Sequence, residues 1–175
     1  MDFSPKEITI EETPAQTACI LNNIWHSKLP VIQWSNVVRN THYVCYVFKF
    51  KEAIIGTAIW SSPIAQNRMR DGKKILELRR LALSNVCPYN TASYVLSKME
   101  KMIRHKFPDI IKFISYQDKE VHHGTIYKAS NWHPTGQTEL FEWTTPTRKR
   151  SELQSRSFKI RWEKKVDARV STRSR

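Results

Sequence analysis

The 175-residue chain carries 29 Lys and Arg against 16 Asp and Glu, a formal net charge of +13, with 40% hydrophobic and 11% aromatic residues. Length and composition suit one domain with a real core rather than a disordered chain, and no apolar run approaches the roughly 18 residues of a membrane span. Only four glycines occur, at positions 56, 72, 124 and 136, so a GxGxxG dinucleotide fingerprint and a GxxxxGK(S/T) phosphate loop are both excluded.

Three cysteines (Cys19, Cys45, Cys87) without CxxC spacing fit a reducing cytoplasm better than a disulfide framework or a zinc ribbon. The opening Met1 to Glu7 lacks the basic-then-apolar order of a signal peptide. A pI of about 9.9 points to a polyanionic partner, because Lys and Arg gain affinity by releasing counterions from phosphates. The charge is uneven: residues 148–175 hold a net +8 and residues 1–147 the other +5. The plain alternative is a solvated basic tail.

In chain order, loose alternation over 5–13 (Ile8, Ile10) predicts a first strand. Thr13-Pro14 opens a helix running to Trp25, and His26-Ser27-Lys28-Leu29-Pro30 is a polar loop. Residues 43–50 and 54–60, rich in β-branched and aromatic side chains, predict an antiparallel hairpin. After a polar loop, Ile75 to Leu83 is a strand on which Glu77 and Arg79 share a face with Ile75, Leu81 and Leu83. Charges on an apolar face are costly unless paired or set in a cleft, so this marks either a site or a strand-end ion pair.

The loop 84–89 enters a helix capped by Asn90 or Thr91. Its apolar stripe is Ala92, Val95, Leu96, Met99, Met102, Ile103 and Phe107, and Pro108 ends it. Residues 110–116 are the next strand, giving a strand–helix–strand unit with a parallel, right-handed crossover. A polar loop (117–124), a short helix from Thr125 to Asn131 ending at Trp132 to Gly136, a strand over 138–143, a basic connector and a strand over 157–162 complete the pattern. The last two strands are expected to pair. One α/β (α+β) domain over 1–163, with a mixed central sheet and helices on both faces, precedes a basic tail over 164–175.

Sites in open α/β sheets lie beyond the carboxyl ends of parallel strands. One such end precedes Asn90, Thr91 and Ser93, where a helix N-terminus offers N–H donors to an anion. The other is Ser115-Tyr116-Gln117-Asp118 followed by His122-His123. The histidine pair reads as base, metal ligand or simply a hydrogen-bonded pair. Adjacent histidines do not easily share one metal and spacing fixes no third ligand, so no metal site is assigned and a metal requirement stays open. His26 alone reads as loop, and Tyr127 alone as a hydroxyl satisfied at the core's edge.

Several segments resemble a known family. The order strand, loop, long helix, strand, then Gly124-Thr125-Ile126-Tyr127-Lys128-Ala129-Ser130-Asn131-Trp132 resembles the second half of a GNAT (N-acetyltransferase) fold. Together with His26-Ser27-Lys28-Leu29-Pro30, Glu77-Leu78-Arg79-Arg80-Leu81, Asn90-Thr91-Ala92-Ser93 and Ser115-Tyr116-Gln117-Asp118, it resembles the phage Mom-type DNA-modification proteins. The resemblance implies a transferase in the host cytoplasm that adds a carbamoylmethyl (glycinamide-like) group to the exocyclic amino group of adenine in double-stranded DNA, shielding it from restriction. It implies acetyl-CoA or a related acyl-CoA as cofactor, near Asn90, Thr91 and Ser93, although the matching loop has no glycine and Pro88 has no N–H.

On the same resemblance Tyr127 protonates the leaving thiolate, and Ser115, Tyr116 and Asp118 line the cleft. Asp118 or His123 accepts the amine proton, and His26 approaches from its loop. Glu77, Arg79, Arg80, Asn131 and Trp132 hold substrate. A flipped base would stack on Tyr116, Trp132 or Trp34, the plainer role of each tryptophan being core packing. Arg148, Lys149, Arg150, Arg156, Lys159 and Arg161 would grip DNA phosphates. Two alternatives stand beside this: an N-acetyltransferase acting on a small amine or a protein, and a basic DNA-binding protein without activity.

Overall fold

Alternating β-branched and aromatic residues build the centre of the molecule. β2 (Tyr43–Phe50) and β3 (Ala53–Ser61) pair as the expected hairpin across Lys51 and Glu52, with Lys51 in the left-handed region at φ 52. Around them β1 (Thr9–Glu12), β4 (Ile75–Leu83), β5 (Lys112–Asp118), β6 (His133–Gln137) and β7 (Lys159–Lys165) complete a seven-stranded sheet in the order β1-β2-β3-β4-β5-β7-β6. Only β4 and β5 run parallel; every other neighbouring pair is antiparallel. The computed structural model describes residues 3–26, 30–63, 74–120, 122–138 and 158–166.

Helices cover both faces. α1 (Ala15–Trp25) and α2 (Trp34–Val38) lie on one, where Ala15, Ala18, Cys19 and Val37 pack on Cys45 and Ile59. α3 (Thr91–Lys106) and α4 (Thr125–Ala129) lie on the other, over the larger core. There Val95, Leu96, Met99 and Ile103 recur at helical spacing and meet Trp60, Phe113 and Trp132. Met102 and Phe107 are only partly buried, and Glu100 sits on the buried stripe instead. Its carboxylate accepts from Trp132 Nε1 at 2.6 Å and from Lys164 Nζ at 2.5 Å.

One extra residue in β4 decides how the site is built. Ile59 pairs with Arg80 but Trp60 pairs with Leu78, so Arg79 is the bulged residue. Before the bulge Glu77 faces α1; after it Arg80 opposes Ile59 on that same side, while Leu81 and Leu83 pack into the α3-side core. The uninterrupted alternation read from the sequence, with Leu81 and Leu83 beside Glu77 and Arg79, is thereby corrected. Across β3 the sheet is tight at Gly56: a Cβ there would come within 2.7 Å of both Leu83 Cδ2 and Phe48 Cδ2.

Other expectations are corrected too. A strand, not the end of a helix, spans His133–Gln137. Pro134 is tolerated because β6 is an edge strand, where a missing N–H need not break a ladder, and the register slips between Pro134 and Gly136. Thr138 N–H donates to Lys159 O at 2.8 Å; residues 139–143 of the expected strand lie outside the described residues. β7 enters between β5 and β6 and runs on through Lys165, so residues 164 and 165 of the expected tail belong to the sheet. α2 carries no clear periodic signal, and β5 is displaced two residues at both ends from the expected 110–116, so that Asp118 is its last residue.

Candidate active site

β4 and β5 are hydrogen-bonded neighbours only from Ile75↔Lys112 to Leu78↔Ser115. Beyond that pair β4 continues along β3 to Leu83, and β5 continues along β7 to Asp118. The bulge at Arg79 bends one strand away from the other and opens a wedge. Along its sides, Arg79–Leu83 and Tyr116–Asp118 present backbone edges to each other with no ladder between them. Such edges can pair with an extended, amide-bearing ligand.

The apex of the wedge is built for a hydroxyl. Ser115 Oγ donates to Leu78 O at 3.1 Å and lies 2.9 Å from Tyr127 Oη. Since the single Ser115 proton goes to the carbonyl, the Tyr127 hydroxyl is the donor to Ser115. Burial raises the Tyr127 pKa and the Ser115 bond opposes that, with burial prevailing, so the phenol keeps its proton at neutral pH. Trp162 stacks on the Tyr127 ring at 5.3 Å and 16°, and Trp132 leans on it at 5.6 Å.

Below the ring, Gln117 accepts from Trp162 Nε1 at 2.7 Å and donates through Nε2 to His122 O, tying β5, β7 and the following loop together. Gly124, at φ 72, starts α4 against this pair; a Cβ would meet Gln117 Oε1 at 2.5 Å.

The opposite face carries the charge. Strand alternation separates Ser115, turned toward α3 and Tyr127, from Tyr116 and Asp118, which face the α1 side with Glu77, Arg79 and Arg80. Arg79 Nη1 donates to Ser61 Oγ at 3.2 Å; Arg80 donates to Arg79 O at 2.8 Å and to Pro30 O at 3.4 Å. Burial, and then the charge of Arg79, pushes Arg80 down to about 10, with Glu77 opposing.

His26 caps α1, its N–H on Asn22 O at 2.8 Å. Burial first, then Arg80 and more weakly His122, hold its pKa below 6.5, which makes it a neutral imidazole at pH 7. Of the two exposed histidines His122 and His123, it is the charge of His122 that reaches His26.

A model of the Mom protein family matches residues 7–173. The chain belongs to that family. No curated protein matches. Among solved structures it is similar to a spermidine N-acetyltransferase variant from Vibrio cholerae (TM-score 0.65, 9% identity, 91% of this chain and 94% of that one). It is likewise similar to AAC(6')-Ib with ribostamycin and coenzyme A (0.62, 11%, 96% and 98%). A third is a GNAT family acetyltransferase from Elizabethkingia anophelis with acetyl-CoA bound (0.60, 14%, 91% and 99%). At these identities the likeness establishes the GNAT fold.

In this Mom-family chain the residues expected to meet a cofactor are arranged differently from expectation. Asn90 is left-handed at φ 67 and its side chain makes no cap bond. Thr91 Oγ1 turns back to Pro88 O at 2.8 Å and Ser93 Oγ to Asn90 O at 3.1 Å. Asn90 holds the N-cap position as expected, and its carbonyl accepts from Tyr94 N–H, but its side chain does not close the cap. The donors at the α3 N-terminus are instead the backbone N–H groups of Ala92 and Ser93, which have no acceptor among the described residues.

Trp132 is 2% exposed and bonded to Glu100, so it packs the core and offers no face to a base; Asn131 is exposed in the left-handed region at φ 59. Trp34 is on the surface, 47% exposed. Arg161 bonds Glu163 at 2.8 Å and Thr135 Oγ1 at 2.9 Å on the exposed side of β7. Lys159 stands opposite Asp118 in register, while Arg148, Lys149, Arg150 and Arg156 lie outside the described residues.

Among the described residues no three His, Cys, Asp or Glu side chains group so as to hold a metal, and no helix is long and apolar enough to cross a membrane. Sequence reasoning missed Gln117, Asn22 and Trp162. Gln117 carried a signal: it falls on the inward positions of β5 between Ser115 and the loop.

Proposed function

We propose that this Mom-family chain is an acyl-CoA-dependent transferase that places an acyl-derived group on the exocyclic amino group of adenine in DNA, the C–N bond forming as the thioester C–S bond breaks, and so protects phage DNA from restriction. The observation that carries the transferase reading is the protonated Tyr127 hydroxyl at the apex of two parting strands. The unpaired Ala92 and Ser93 N–H groups and the open strand edges fit an extended, phosphate-bearing thioester. When bound, that cofactor supplies the activated group and a thiolate leaving group.

Transfer to an amine requires one proton to leave nitrogen and one to reach sulfur. On the α1 side His26, neutral at pH 7, is placed to accept the first, with Asp118 on the same face. On the α3 side Tyr127 holds the second at Oη, and Ser115 relays its hydrogen bond to Leu78 O. Acid and base thus approach from opposite faces of the sheet through one wedge. The sheet between them keeps the two from neutralising each other directly. Arg79 and Arg80 orient an anionic part of the substrate, and Tyr116 offers a ring at the wedge's edge.

Mass spectrometry of nucleosides from DNA of cells expressing the protein tests the reading. A modified adenosine that disappears in Tyr127→Phe supports it. An unchanged adenine pool with soluble protein sinks it, and acetyl-CoA turnover without DNA would move the substrate to a small amine or a protein.

A further inference from the structure

Three buried side-chain polar atoms have no hydrogen-bond partner among the described residues: Asn22 Nδ2, Tyr46 Oη and Arg80 Nε. Tyr46 belongs to the α3-side core. The other two are both nitrogen donors on the α1 side. Asn22, 5% exposed, sits on the inner stripe of α1 between Cys19 and His26, and the charge of Arg80 is felt at both of those neighbours. A buried donor left unpaired costs about 1–3 kcal/mol, more when charged, so two in one place mark a missing acceptor.

Two guanidinium groups stand beside them. The bulge sets Arg79 and Arg80 side by side, and their hydrogen bonds go to a hydroxyl and two carbonyls. His26, a neutral imidazole, comes in from the end of α1, and the carboxylates of Glu77 and Asp118 lie on the same face. The donors approach from a helix, a strand and the bulge beside it. A tetrahedral oxyanion accepts from several such directions, whereas a carboxylate has its acceptors in one plane.

We propose that the α1-facing side of the wedge is a binding site for a phosphate group, held by Arg80 Nε, Asn22 Nδ2 and the Arg79 guanidinium. It is separate from the N–H donors at the start of α3, which cover the other face. The proposal rests on the transferase reading only for the source of the phosphate, a DNA phosphodiester or a small phosphate ester.

Thermal unfolding of the full chain in sodium phosphate and in sodium chloride of equal ionic strength tests the site without any turnover. An inactive transferase and a missing anion site are therefore told apart. Phosphate at roughly tenfold over its half-maximal concentration should raise the Tm of the wild type by about 3–5 °C, and that of the surface control Lys98→Gln equally. Asn22→Asp, which supplies an internal acceptor, should melt higher than wild type in chloride and lose the phosphate shift.

Equal melting of the wild type in both salts overturns the proposal. So does a phosphate shift that survives Asn22→Asp, or an Asn22→Asp protein that melts below wild type in chloride. Fluorescence anisotropy with a short single-stranded oligonucleotide then separates the sources. Affinity reduced fivefold or more by Asn22→Asp, with free phosphate competing, assigns a DNA phosphodiester. Affinity unchanged while the phosphate shift is lost assigns a small phosphate ester.

Discussion

Lys164 offers the sharpest test of how β7 is fastened to the body of the protein. Its ammonium donates to Glu100 Oε2 at 2.5 Å and to Ser130 O at 2.7 Å, and Glu100 also receives Trp132 Nε1. The Glu100 side chain is 6% exposed and that of Lys164 27%. Removing one partner of a fully buried pair costs about 3–5 kcal/mol because the other charge stays buried. Water reaches Lys164, which reduces the figure for Lys164→Met to about 2–3 kcal/mol. In a chain of this size that lowers Tm by about 5–10 °C. Urea unfolding should show the loss as a lower midpoint at unchanged slope. In a Glu100→Gln background, where no charge is stranded and the Trp132 bond can persist, the same change should cost under about 1 kcal/mol. A chain ending at Val166 should keep this anchor, and one ending at residue 163 should lose more than Lys164→Met, because it also gives up the β5–β7 pairs at 164 and 165 and the Val166 N–H bond to Ile111 O. Losses below about 0.5 kcal/mol in the single variant, or equal losses in both backgrounds, would refute the reasoning.

Tyr127→Phe should fold within about 1.5 kcal/mol of wild type, since Ser115 keeps Leu78 O, yet lose at least a hundredfold in formation of modified adenosine by mass spectrometry. Gly124→Ala places a Cβ against Gln117 Oε1 and Trp162 Cζ2 at 2.5 and 2.6 Å in a left-handed residue, so calorimetry should register a loss of about 2 kcal/mol or more. His26 has a folded pKa below its unfolded value of 6.5, so the unfolded chain binds more protons as pH falls through that value. Its contribution to stability is present above pH 6.5 and lost below it; between pH 7 and pH 5 the Tm of wild type should fall more steeply than that of His26→Asn.

Periodicity exposed most of the architecture. The stripe from Val95 to Ile103 and the β2–β3 hairpin carry strong local signals, and each burial class follows from side-chain spacing alone. What the sequence hides is whatever depends on strand-to-strand register. The bulge at Arg79 has no glycine or proline to mark it, and it is visible only when Ile59 and Trp60 are seen to pair with Arg80 and Leu78. β6 was hidden for a different reason: His133-Pro134-Thr135-Gly136 reads as a chain break, and only an edge position beside β7 lets it be a strand. Trp132 reads in the sequence as a candidate stacking ring, but its indole N–H is bonded to Glu100 inside the core.

The same bulge explains why the candidate site uses side chains that the sequence separates. A regular β4 would alternate Glu77, Arg79 and Leu81 on one face and leave Arg80 on the other. With one residue added, Arg80 joins Glu77 on the α1 side, and Leu81 returns to the core. The strand turns away from β5 after Leu78, so the wedge opens at the residue whose carbonyl receives Ser115. Charge placement and cleft formation are therefore two consequences of one local irregularity. The proposed proton donor Tyr127 and the proposed base His26 can meet one ligand only where the sheet is split between them. In a continuous parallel pair, the backbone ladder would separate Tyr127 from His26 as completely as it separates the two cores.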